Sequence, residues 1–396
     1  MRTLAMSVLA AGLLAAGCGA PGGGPGAGGS ADDFQPPSLA GTGLSHYWQA
    51  PLPIDPGETI ERLYHLDEKI YLLTSDRDLI AVDARTGLAQ WVYRIGYELE
   101  EIFDPCHPIE QVSLPVDTPD GREVKFFDAV MINTVSRLII LDRSDGTEIR
   151  DLSFRTFTAN AGGSADAKHF YVGSVSGLYY AFDYGMRVPS WRLKTEEMIS
   201  APTVVDGKYV YVGSEDGHLY ASEVSLRPEK VWIHEMGGAV VSRFIVNRTG
   251  CFVPCMDGRV YGLDFATGES IWEAPYAYEK PMVGPILVGE NSLFQRSEDG
   301  KLHVLDMRTG RLLWTQPDVQ KVLANMDELV YTLAPGPELR VYSEDLGEEE
   351  IAVPLDGLEL FLANSTVPAI YAVGGRKLHC IRPESAERLT PEMLEN

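Results

Sequence analysis

From residue 60 to 381 the chain repeats one pattern about every forty residues: a short β-rich stretch, a Gly turn, a second strand ending in Asp, a Thr-Gly-type turn and a Trp. The clearest copies are Ile70–Trp91 (IYLLTSDRDLIAVDARTGLAQW), Phe252–Trp272 (FVPCMDGRVYGLDFATGESIW) and Leu293–Trp314 (LFQRSEDGKLHVLDMRTGRLLW), with looser ones at Tyr171–Trp191 and Tyr211–Trp232. An Asp and a Trp stand eight residues apart at Asp83/Trp91, Asp183/Trp191, Asp264/Trp272 and Asp306/Trp314, and the last two copies place their turn glycines at Gly268 and Gly310. A strand-turn-strand unit of this size cannot bury both its faces alone, so the copies must stack. A period near forty with several short strands points to propeller blades. The stretches alternate with period two and are rich in Val, Tyr, Ile and Leu, which disfavours helical repeats.

Counting copies gives an all-β, eight-bladed β-propeller over 44–381. Blade 1 spans about 60–96 and blade 2 holds Ala129–Leu141, with Asp145-Gly146 as its turn and Arg150 in the Trp position. Blades 3 to 6 end at Trp191, Trp232, Trp272 and Trp314, and blade 7 (316–354) is degenerate, with Ile351 where Trp would stand. The last blade, Leu358–Ile381, lacks a fourth strand. Trp48-Gln-Ala-Pro51 matches Trp272-Glu-Ala-Pro275 and Trp314-Thr-Gln-Pro317, so Leu44–Pro51 is expected to complete it and close the ring. Closure removes the unpaired sheet edges that invite aggregation. Seven blades are the fallback if 330–365 holds only one. The 396 residues, 45% of them hydrophobic, suffice for one such domain, and 39 Gly with 25 Pro suit its many turns.

The N-terminus reads as an export signal over 1–17: Arg2 as the charged start, then the apolar stretch Leu4–Ala16, too short to span a bilayer comfortably. Leu14-Ala15-Ala16-Gly17-Cys18 resembles the bacterial lipobox, apart from Ala15 where Leu is usual, and implies lipid attachment at Cys18. Residues 18–43, rich in Gly and Pro, form a tether whose random-coil span is roughly 25 to 30 Å. Gly19 is not the Asp that retains many lipoproteins at an inner membrane, so the periplasmic face of the outer membrane is the expected location; in a single-membrane bacterium the signal would place the protein outside the cell. The stretch 382–396 is an acidic tail.

The repeated residues resemble the PQQ-like repeat family of β-propellers, in which a strand ending in Asp leads through a Thr-Gly turn to a Trp. That family includes quinoprotein dehydrogenases, which hold PQQ and calcium, and outer-membrane assembly lipoproteins of the BamB type, which are eight-bladed scaffolds without a cofactor. Many of the dehydrogenases carry two adjacent cysteines against the cofactor. No Cys-Cys pair occurs here. The recurring Asp residues sit at one equivalent place per blade, where a carboxylate can accept N–H bonds of the following turn, and the Trp residues have the spacing of packing between blades.

No other chemistry is legible. The eight His are scattered without a metal-ligand spacing, and no nucleophile elbow, Walker loop or HExxH is present. Cys251 and Cys255 lie beyond disulfide reach in an extended strand, and Cys106 with Cys380 is open to pairing in an oxidising compartment. Neither a catalytic residue nor a cofactor is expected.

Lys and Arg number 33 against 57 Asp and Glu, a net charge of −24, which excludes nucleic acid as a main ligand. Blade 2 carries an insertion: Trp91 to Arg150 spans 59 residues where the next interval spans 41. The inserted stretch near 97–125 includes Glu98, Glu100, Glu101, Ile102 and Phe103, a candidate partner-binding loop on a rigid scaffold. The resulting expectation is a membrane-anchored, non-catalytic scaffold for an envelope protein partner, with the barrel-assembly machinery as one such partner. The alternatives are a propeller that holds a small ligand in its central funnel and a PQQ-dependent dehydrogenase-like protein.

Overall fold

The structure, a computed structural model, describes residues 37–96, 100–119, 121–225 and 228–386. These residues form strands and turns, with no helix among them. Seven four-stranded antiparallel sheets, one three-stranded sheet and a separate two-stranded hairpin account for all the strands. Blade 1 runs Ile60–Leu66, Lys69–Thr74, Asp78–Asp83 and Ala89–Arg94, and the others repeat that order around the ring. Blade 7, degenerate in sequence, is a regular four-stranded sheet from Lys321 to Pro354.

Closure occurs as the sequence implies. Leu44–Pro51 pairs antiparallel with Lys377–Pro383 and becomes the outer strand of blade 8, with Trp48 opposite Cys380. Eight apolar clusters occupy the eight interfaces between neighbouring blades. Because each sheet is covered on both faces, its middle strands are continuous apolar runs: Lys69–Thr74, Ala129–Asn133 and Ile370–Gly374 are buried along their whole length. The outer strands alternate instead, as in Val188–Lys194.

The repeated motif joins one blade to the next. Asp306 Oδ1 accepts the backbone N–H groups of Arg308 and Thr309 at 3.1 and 2.7 Å, which fixes the turn. Asp83, Asp183 and Asp264 accept from their own turns in the same way. The turn then places Gly310 under the indole of Trp272 from the preceding blade, whose Nε1 donates to Met307 O at 3.1 Å. Equivalent pairs are Trp48/Gly87, Trp91/Gly146, Trp232/Gly268 and Trp314/Gly347.

Among the described residues three junctions lack such a pair, and between blades 2 and 3 both halves of it are replaced. Arg150 lies opposite Ile140, the register of Trp91 opposite Ala81, and so occupies the Trp position. Arg187, four residues after Asp183, occupies the Gly position and keeps the left-handed backbone of that turn at φ 64°. The inserted hairpin, Val112–Thr118 paired with Gly121–Phe127, fills the gap. Its Val112 and Leu114 are fully buried in the cluster between the two blades, and Arg150 Nη2 donates to Pro115 O at 3.1 Å.

Candidate docking surfaces

Of the inserted residues named from sequence, Glu98 lies outside the described residues, as do Cys18, the signal segment and the end of the acidic tail. The stretch 102–106 is the innermost edge of blade 2. Ile102 and Cys106 bridge Thr134 and Met131, and Phe103 N donates to Asn133 O at 2.9 Å. Ile102 is buried in the core between blades 1 and 2, and Phe103 packs against the core of blades 2 and 3. Glu100 Oε1 accepts from Ser136 N at 3.0 Å, and Oε2 lies 3.5 Å from Arg137 Nε. Burial opposes its charge, but hydrogen bonds from Ser136 and Thr134 and the Arg137 guanidinium outweigh it and hold the carboxyl below its usual range. Of the four that are described, Glu101 alone is exposed.

The inner strands surround an axial passage. Three cavities, of about 760, 800 and 550 Å³, open along it, and His65 and Arg243 border all three. Arg243 Nη2 lies 3.1 Å from Asp104 Oδ2. One belongs to blade 5 and the other to the inner edge of blade 2; these blades are not neighbours, so the pair reaches over the passage and partitions it. Among the described residues no group of three or more His, Cys, Asp or Glu converges as metal ligands. Cys106, Cys251, Cys255 and Cys380 are free thiols.

One buried network has the residue types of a nucleophile pair. Ser297 Oγ is 2.9 Å from His303 Nε2, and His303 Nδ1 is 2.8 Å from Tyr276 OH. The protons run the wrong way for catalysis. Ser297 gives its hydroxyl proton to Asp299 Oδ1 at 2.5 Å, so His303 Nε2–H must donate to Ser297 and Nδ1 accepts from Tyr276. A general base has to accept from the serine instead. Ser297 and His303 are also fully buried, out of a substrate's reach. Two other blades have a Tyr four residues after the same hairpin Asp, where His303 follows Asp299, and Tyr220 and Tyr261 donate to Asp216 and Asp257, which marks the position as hairpin architecture.

A different surface was not legible beforehand. The outward face of the hairpin and the turns of blade 3 enclose a groove of about 1,120 Å³. Val124, Phe126 and Met186 stand on it 61, 64 and 73% exposed. Among the described residues four cations line it, Arg122, Arg150, Lys168 and Arg187, against one carboxylate, Asp183, which already accepts from Met186 N at 2.7 Å. The groove's signals in the sequence were the long interval before Arg150 and Arg150 itself in the Trp position.

Fold and repeat together define the class: a closed eight-bladed β-propeller of PQQ-like repeats. The chain belongs to the family described as "Outer membrane protein assembly factor BamB", which matches residues 134–283 and 256–376, more than half of its length. No curated protein matches the sequence. Among solved structures it is similar to BamB from Moraxella catarrhalis, with 15% identity and a TM-score of 0.65 over 87% of this chain and 99% of that one. It is also similar to the computationally designed Ika8 protein, with 12% identity and a TM-score of 0.61 over 84% of this chain and 98% of that one. At such identities the likeness concerns the fold.

Proposed function

We propose that this chain is a membrane-anchored, non-catalytic scaffold of the bacterial cell envelope that assists outer-membrane β-barrel assembly. The observation that carries the reading is the fate of its repeated polar residues. Asp83, Asp183, Asp264 and Asp306 spend their carboxylates on their own turns, and the Ser297–His303 network is sealed within a blade. What the ring offers outward is a rigid rim with loops and one apolar, basic groove. The family's description supplies the assembly role.

In this reading 1–17 is removed on export and Cys18 carries the lipid. Residues 19–43 tether the propeller to the periplasmic face of the outer membrane. The segment at 98–103 contributes a rim contact through Glu98 and Glu101, since Ile102 is committed to the core. Mild crosslinking of the tagged, lipidated protein in its own cells, followed by mass spectrometry of what it retains, tests the proposal. Enrichment of barrel-assembly components supports it. A folded protein that retains no envelope protein above control removes it, and a Cys18→Ser variant that stays with the membrane removes the anchor.

A further inference from the structure

We infer that the groove at the junction of blades 2 and 3 docks an extended, acidic segment of a partner protein whose side chains alternate between carboxylate and apolar. The inference rests on the scaffold reading in one respect: the occupant is taken to be protein.

The groove lies where the inter-blade clamp is absent and the inserted hairpin takes its place. At five junctions an indole covers a turn glycine and fills the space between outer strands. Here Arg150 and Arg187 take those two places. The hairpin that seals the interior does so with one face only. Paired residues in a sheet project to the same side, so Val112 and Leu114 enter the core while Ser113, Pro115, Val124 and Phe126 face outward. The structure has thus replaced a filled junction by an open one lined with apolar side chains and cations.

Charge selects the occupant. In a chain with a net charge of −24, the described side chains that line this groove are four cations and a single carboxylate. Among the described residues none of Arg122, Lys168 and Arg187 takes part in an ion pair. Such a patch within an acidic body concentrates anionic groups and leaves a basic segment without a counterpart. Carboxylates of the partner meet Arg122 and Lys168, and its apolar side chains cover Val124, Phe126 and Met186.

Shape points to one chain rather than a broad surface. The groove is recessed between the hairpin and the blade 3 turns, and about 1,120 Å³ holds several residues of extended chain. A bilayer cannot follow that relief. Gly121–Phe127 also pairs only with Val112–Thr118. Exposed Val124 and Phe126 on a strand with one unpaired edge form a surface that proteins ordinarily keep covered.

The test uses the purified mature chain in mild detergent and fluorescence anisotropy of two labelled decapeptides, one alternating Glu and Leu, the other alternating Lys and Leu. Saturable binding of the Glu peptide is expected, at least tenfold tighter than the Lys peptide and weakening as salt rises. The double substitution Arg122→Glu/Lys168→Glu should weaken it at least tenfold, and Phe126→Ser should do so independently. Arg308→Glu, an exposed charge reversal on blade 6, should leave it unchanged. All these side chains are exposed, so urea midpoints near the parent's are expected; should the double variant misfold, Phe126→Ser alone decides. Equal binding of both peptides, no saturable binding, or binding indifferent to the substitutions overturns the inference. So does capture of anionic vesicles, or self-association, abolished by the same substitutions, since the occupant would then be lipid or a second copy. A negative result leaves the crosslinking outcome untouched, so the groove and the scaffold reading fail separately.

Discussion

The indole of Trp272 lies so close over Gly310 of the next blade that a Cβ at that glycine would meet the ring at 2.4 Å. Gly310 also has φ +71°, so one position carries two demands: left-handed backbone and an empty Cβ site. At five junctions the turn motif is therefore half of a contact whose other half lies in the preceding repeat. A ring built this way gains cooperativity from neighbours rather than from the blade alone.

Gly284 separates the two demands, having φ +74° and nothing within 4 Å of a built Cβ. Gly284→Ala should cost about 1 kcal/mol for the left-handed backbone alone. Gly310→Ala should cost about 2 to 4 kcal/mol, the excess coming from overpacking against Trp272. Urea unfolding of the two variants measures the difference. Equal losses would mean that the indole moves aside freely.

The equal Asp-to-Trp offsets made the repeat legible because identical turns demand identical residues, and Trp48-Gln-Ala-Pro51 betrayed the closing strand for the same reason. The inner edge of blade 2 escaped notice on physical grounds. Residues 100–108, EIFDPCHP after Glu100, contain Pro105 and Pro108 and lack period-two alternation, so they read as loop. An innermost strand needs a ladder on one side only, and here two isolated bridges suffice, which tolerates proline. The groove was hidden for another reason. Arg150 was visibly out of pattern, but its meaning depends on the left-handed Arg187 of another repeat and on which face of the hairpin turns inward.

The segment at 100–102 should behave as structure. Ile102→Ala removes a buried side chain from the core of blades 1 and 2 and should cost about 2 to 4 kcal/mol. Glu100→Ala removes the carboxylate that Ser136 N–H and hydroxyl donate to and one of the two carboxylates beside Arg137, and should cost about 1 to 2 kcal/mol. Glu101→Ala, exposed, should stay within about 0.5 kcal/mol. Urea midpoints rank the three, and an unaffected Ile102→Ala would remove the segment from blade 2.

The two faces of the hairpin should respond oppositely. Leu114→Ala opens a cavity between blades 2 and 3 and should lower stability by about 2 to 4 kcal/mol. Phe126→Ser, 64% exposed, should change it by no more than about 0.5 kcal/mol. Comparable losses at both would show that the outward face is also packed.

His303 should make stability fall with acid. Burial holds its pKa down at about 4, with Asp299 favouring the proton and Lys301 opposing it. In the unfolded chain the group titrates near its ordinary value of about 6.5. Between those values the unfolded state binds the proton and the folded state does not, so the contribution is complete above about pH 6.5 and is lost as pH falls towards about 4. The slope from one such group is at most about 1.4 kcal/mol per pH unit. Burial also lowers His65, His107 and His379, which add slopes of the same sign, so the comparison must be with a variant. His303→Gln keeps polar atoms towards Tyr276 and Ser297 and removes the titration. Its unfolding free energy at pH 7 should be lower than the parent's, and the gap should narrow between pH 6.5 and 4. Parallel curves across that window would mean that His303 takes up its proton as readily in the folded chain as in the unfolded one, so that burial does not hold its pKa down.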